Sequence, residues 1–121
     1  MSEKTVFKKI IDGDLPAYKV YEDDRFIAFL DIHPTAPGQT LIIPKEESRW
    51  VWDVTHYDDY WRLVRRISQA LRQVFETDWI MSKVIGDEVP HAHVHLFPGI
   101  DKDGSETNFE AIAEDIKKAL S

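Results

Sequence analysis

Residues 89–99 read VPHAHVHLFPG, where His91, His93 and His95 alternate with Ala92, Val94 and Leu96. Along an extended strand, successive side chains point to opposite faces, so the histidines project one way and the apolar residues the other. Pro90 ahead of the run and Pro98–Gly99 behind it mark where such a strand starts and stops. A strand with one wholly apolar face needs a covering layer, and that requirement constrains the rest of the chain.

The cover comes from helices. From His56 to Glu76, Tyr60, Leu63, Val64, Ile67, Ala70, Leu71, Val74 and Phe75 make one apolar stripe at helical spacing, with Arg62, Arg65, Arg66, Gln69 and Arg72 mostly outside it. Near the C-terminus, Thr107 and Glu110 form a capping-box pattern that opens a helix with Phe109, Ile112, Ile116 and Leu120 on its inner side. Near the N-terminus, Phe7, Ile10 and Ile11 predict a short helix stopped by Gly13. Two strands with a turn at Asp23–Asp24 are expected in AYKVYEDDRFIAFLDI, supported by Val20, Phe26, Ile27, Phe29 and Ile32. HPTAPGQ is a loop, TLIIPK a short buried strand closed by Pro44, and DWIMSKVIG a strand ending at Gly86. ESRWVWDVT reads equally as a helical turn or an irregular loop. The order α, β, β, β, α, β, β, α predicts an α+β fold: a mostly antiparallel sheet with its helices packed on one face. A length of 121 residues fits a single domain, expected to span 1–121.

Composition narrows the function. The formal net charge of −7 argues against general nucleic-acid binding, because an acidic surface repels a phosphate backbone. The chain has no cysteine, which excludes disulfides, thiolate metal sites and cysteine nucleophiles, and suits a cytoplasmic protein. The N-terminal stretch has no apolar signal-peptide core, and no apolar run is long enough for a membrane span. A membrane partner is therefore not expected.

Imidazole near neutral pH is a base, a nucleophile, a hydrogen-bond donor or a metal ligand. Same-face neighbours on a strand stand about 6.5–7 Å apart at the backbone, close enough for their rings to converge on one atom. One reading surrounds a phosphorus centre with the three rings, one attacking while the others hold oxygens or orient the attacker. The other is a metal site, since His-x-His on a strand is a common zinc arrangement. Spacing alone leaves the two even. Asp87 and Glu88 lie just ahead of the run as possible acidic ligands, although none lies within it.

HAHVHLF also resembles the signature of the histidine triad (HIT) family, His-φ-His-φ-His-φ-φ, with Ala92, Val94, Leu96 and Phe97 at its apolar positions. VFKKIIDGDLPAYKVYEDDRFIAFLDIHPTAPGQTLIIPK is similar to the opening region of that family's Hint-like branch. The resemblance runs from about Val6 to Lys45 and again from about Ile80 to Gly99. It implies a HIT-like fold, a homodimer and a purine nucleotide site. It also implies a hydrolase or transferase acting at the α-phosphorus of nucleoside phosphoramidates or related nucleotide conjugates. In that scheme His93 attacks to form a covalent nucleotidyl-histidine, His95 hydrogen-bonds the phosphate, and His91 buttresses His93. No metal or other cofactor is required. Asp31 corresponds to the acceptor of the ribose hydroxyls, and Phe7, Ile10, Leu30 and Ile32 to the walls around the base. Tyr57 and Trp61 are candidates for the dimer interface.

Four positions depart from the pattern. Gln39 stands where many relatives carry histidine near the leaving group, and an amide is no proton donor at useful pKa. His33, in the same loop, is a possible substitute. Glu88 stands where Hint-like relatives often have a hydroxyl residue, and a carboxylate there repels phosphate. Thr5 and Lys8 occupy the positions of a Cys-x-x-Cys that joins a zinc site in some bacterial relatives. Gln39 and Glu88 keep a second expectation open, a nucleotide-binding regulatory module with weak catalysis. The third is a metal-binding histidine triplet.

Overall fold

The computed structural model describes residues 4–84, 89–100 and 108–121. Eight regular elements follow in the order helix α1 (Val6–Ile11), strands β1 (Lys19–Glu22), β2 (Phe26–Leu30) and β3 (Thr40–Pro44), helix α2 (Tyr57–Val74), strands β4 (Ile80–Val84) and β5 (Val94–Pro98), and helix α3 (Phe109–Leu120). A short 3-10 turn at Val51–Asp53 resolves the ambiguous Trp50–Trp52 region as a helical turn. The strands form one sheet in the order β1-β2-β3-β5-β4, and every pairing is antiparallel. This is the α+β architecture expected from the residue pattern. No helix among the described residues is long and apolar enough to cross a membrane.

The large core lies on one face of the sheet. Phe26, Ala28, Leu30, Ile42, Val94 and Leu96 point from the strands into the buried sides of α2 and α3. Ile67, Leu71 and Ile116 are fully buried there, each burial favouring the fold by roughly 1.5–3 kcal/mol. The Tyr60 hydroxyl donates to the Ile42 carbonyl oxygen at 2.6 Å, so this large side chain is buried with its polar tip satisfied.

The placement of the helices requires a correction. α2 and α3 share one face, but α1 covers the other, where Phe7 and Ile10 pack on Ile27, Phe29, Leu41 and Ile43. The reason lies in β2 and β3, all of whose residues are buried. A strand apolar on both faces needs a layer on each side. α1 is well delimited for so short a helix. The Thr5 hydroxyl caps it by accepting from the Lys8 N–H at 3.0 Å. Gly13, at φ +81°, ends it in a left-handed turn, with Gly13 N–H on Ile10 O and Asp14 N–H on Lys9 O.

Several local expectations shift. Asp23 Oδ1 accepts from the N–H groups of Arg25 and Phe26, closing the β1–β2 turn. At the start of α3 the cap is Asn108, whose side chain accepts from Ala111 N–H. Asn caps as well as Thr, and Thr107 lies outside the described residues, as do Gly86 and Glu88. Trp61 is half-buried and stacks on Trp52 at 6.0 Å between ring centroids, with Tyr57 tilted against it.

Candidate functional site

The sheet presents the three histidines on the face opposite α2 and α3. Ala92, Val94 and Leu96 belong to the helix-side core. The His93 and His95 rings lie 4.8 Å apart, and the Phe7 ring meets His93 at 4.8 Å and His91 at 6.2 Å, all edge-on. A ring separation below the backbone repeat shows that the His93 and His95 side chains lean together. Only His95 lies within β5; His91 and His93 sit on the irregular segment leading into it. That segment is tied down by Ala92 N–H donating to Ser48 O at 2.6 Å.

Backbone carbonyls decide which ring nitrogens carry protons. His91 Nε2 lies 2.7 Å from Pro44 O. A carbonyl only accepts, so His91 is protonated at Nε2. His93 Nδ1 lies 2.6 Å from His91 O, so by the same logic Nδ1 carries the proton and the neutral ring keeps its lone pair at Nε2. The third ring is set by a side chain. Gln39 Oε1 accepts from the backbone N–H of Thr35, which orients the amide and places Nε2 3.3 Å from His95 Nδ1.

Burial disfavours the charged form of His91 and of His95. His91 and His93 are buried and His95 is half-buried. Desolvation pushes the His91 pKa below the ordinary imidazole value, with the Pro44 hydrogen bond opposing it. His95 is also pushed down, by burial first and then by the neighbouring His93, against an upward pull from Asp31. The Asp31 carboxylate is thus close enough to act on His95. Its Oδ1 accepts from His33 N–H at 2.8 Å, and its own N–H donates to Gln39 O.

The remaining candidates divide by face. Phe7 and Ile10 lie on the histidine side. Leu30 does not: strand alternation turns it into the helix-side core, and Phe29 takes the histidine side, 5.9 Å from Phe7. The alternation of Phe29 with Leu30 in FIAFL is the sequence signal for this placement. Ile32 is 58% exposed at the mouth of the loop. His33 is exposed and joined to the region through its backbone. Thr5 caps α1 and Lys8 pairs with Asp12, so both have structural roles. A cavity of about 280 Å³ opens beside His91, lined by Lys4, Lys8, Ser48 and Arg49 among others. Among the described residues no group of three His, Asp or Glu side chains converges as a metal site.

Comparison with known proteins follows this geometry. A model of the HIT domain matches residues 12–102. The chain is 36% identical to the protein hit of Bacillus subtilis, over 96% of this chain and 86% of that protein. It is 31% identical to an adenosine 5'-monophosphoramidase of Saccharomyces cerevisiae, over 96% of this chain and 80% of that one. Among solved structures, a Hit-like protein involved in cell-cycle regulation from Bartonella henselae superposes with a TM-score of 0.86 at 33% identity, covering 98% of each chain.

Proposed function

The chain belongs to the histidine triad family, and from that premise we propose that it is a nucleotide-binding hydrolase or transferase acting at the α-phosphorus of purine nucleoside phosphoramidates or related nucleotide conjugates. The observation that carries this reading is the His91–His93 arrangement. His93 Nδ1–H donates to His91 O, leaving Nε2 as a lone pair on the face shared with His95.

The chemistry follows from that tautomer. His93 Nε2 bonds to phosphorus while the bond to the leaving group breaks, and the leaving group departs with the bonding pair and takes up a proton from solvent, balanced by the proton that water releases in the second step. Positive charge builds on the imidazole, and the Nδ1–H bond to the His91 carbonyl stabilises it. His91 keeps that carbonyl in place through its own bond to Pro44 O. His95 donates from Nε2–H to a phosphoryl oxygen. Water then attacks the nucleotidyl-histidine, the P–N bond breaks, and the nucleoside monophosphate leaves with His93 restored. Two easier displacements replace one hard one. In this reading Asp31, whose charge acts on His95, accepts from the ribose hydroxyls, and Phe7, Ile10, Phe29 and Ile32 are the apolar surfaces offered to the base.

The yeast relative's phosphoramidase activity supports this choice of substrate class. The homodimer belongs to the same proposal: β4 is a sheet edge, and Trp79 and Met81 are exposed on and beside it. Sedimentation velocity at two protein concentrations tests that part. Incubation with adenosine phosphoramidate, with and without chelator, tests the whole. AMP release unaffected by chelator and absent in His93→Ala is the expected result. Binding without turnover supports a regulatory module, and loss of turnover with chelator supports a metal site.

A further inference from the structure

Gln39 stands out from the site by chemistry. It is only 5% exposed, and both ends of its amide are engaged. The backbone around it is also fixed: Gln39 N–H donates to Ala36 O, and Gln39 O accepts from Asp31 N–H. Gly38 precedes it at φ +84°, where a Cβ would run into the Phe75 ring at the end of α2. The side chain therefore leaves a rigid backbone in one direction.

We propose that Gln39 is a positioning residue that locks His95 in its Nε2–H tautomer. Thr35 N–H can only donate, so it holds Gln39 Oε1. The amide nitrogen is left facing His95 Nδ1 and can only donate to it. His95 Nδ1 is thereby an acceptor, and the ring's single proton sits on Nε2. An amide does not titrate, so the lock holds wherever His95 is neutral. His95 then serves as a fixed hydrogen-bond donor to a non-bridging phosphoryl oxygen and keeps its proton through the reaction. Gln39 thus acts through another residue, where the sequence pattern placed it beside the leaving group. The catalytic consequence rests on the proposed function, but the tautomer does not.

Two experiments test this separately. The first needs no substrate: histidine ¹⁵N shifts of the whole protein at alkaline pH, with His95 assigned through a His95→Asn variant. The groups facing His95 among those described are His93, Asp31 and Lys83, and at that pH the imidazoles are neutral. A proton on Nε2 in the wild type, moved to Nδ1 in Gln39→Glu, is the expected result. Glu keeps the acceptor for Thr35 N–H but replaces the amide donor with a second acceptor. A wild-type proton on Nδ1 overturns the proposal. Gln39→Met, which neither donates nor accepts, should give a mixture of tautomers; a ring left unchanged by Met shows that Gln39 is not the lock.

The second experiment compares turnover of adenosine phosphoramidate and of the p-nitrophenyl ester of AMP. Gln39→Glu at alkaline pH should lower kcat by about 10²-fold, the usual effect of losing one oriented donor, with little change in KM. The loss should be equal for both substrates, because the donor serves the phosphoryl oxygen rather than the leaving atom. A loss confined to the amine substrate would instead make position 39 part of leaving-group protonation and overturn the proposal. If neither substrate turns over in the wild type, the proposed function fails, and the tautomer measurement still decides the role of Gln39.

Discussion

The two faces of the sheet are built on different physics. Toward α2 and α3, Ala92, Val94 and Leu96 sit among aliphatic neighbours, and the energy there is apolar area removed from water. Toward α1, one residue along in each case, His91 and His93 are buried beside Phe7, and their nitrogens are met by backbone carbonyls. Burying polar rings is tolerable only because each proton has an acceptor. The first face holds the fold together. The second spends part of that stability on fixing tautomers.

The contrast is sharpest if each face is damaged alone. His93→Ala should cost on the order of 10⁴-fold or more in phosphoramidate turnover, because a covalent nucleophile is lost. Near-UV circular dichroism should stay native. If Leu71→Ala, on the other face, removed turnover from fully folded protein, the division would fail. Leu71→Ala should instead destabilise by about 2–5 kcal/mol in urea denaturation, because Leu71 is fully buried in the helix-side core.

His91→Phe links the two kinds of physics. It retains ring volume but leaves Pro44 O without its donor, so it should cost about 1–3 kcal/mol by chemical denaturation. It should also slow turnover, because the carbonyl that orients His93 is no longer anchored. Full activity in this variant would show that His91 O is held by the backbone alone.

Much of this division was legible in the residues. Period-two alternation in HAHVHL identified the faces of β5, and the stripe from Tyr60 to Leu71 identified the inner side of α2. The site of α1 was not legible, because FIAFL and TLIIP are apolar on both faces and alternation says nothing about which helix covers which side. The family resemblance implies Leu30 as a wall, whereas strand parity turns Leu30 to the helix side and Phe29 to the histidine side. The roles of Pro44 and Ser48 left no trace, since a backbone carbonyl has no residue identity. Gln39 was noticed for what it cannot do, while its bonds to Thr35 and His95 depend on loop geometry.

Smaller effects sharpen the comparison further. The lowered His91 and His95 pKa values mean that below the ordinary imidazole value of 6.5 the unfolded chain binds more protons than the native one. Stability from these rings is complete above that pH and is lost as pH falls through the depressed native values. His91→Phe should flatten this acid limb in urea denaturation followed against pH, whereas Leu71→Ala should shift the curve without changing its shape. Asn108→Ala, at the α3 cap far from both rings, should cost about 1 kcal/mol with no change in the limb.

The most direct test is to find the bond that His93 forms. Brief mixing with adenosine phosphoramidate, an alkaline quench that spares the P–N linkage, and peptide mapping by mass spectrometry locate any bound nucleotide. An AMP adduct on His93 that appears and decays within turnover is the result expected here. Turnover with the adduct on another residue, or with no adduct at any time, would contradict it.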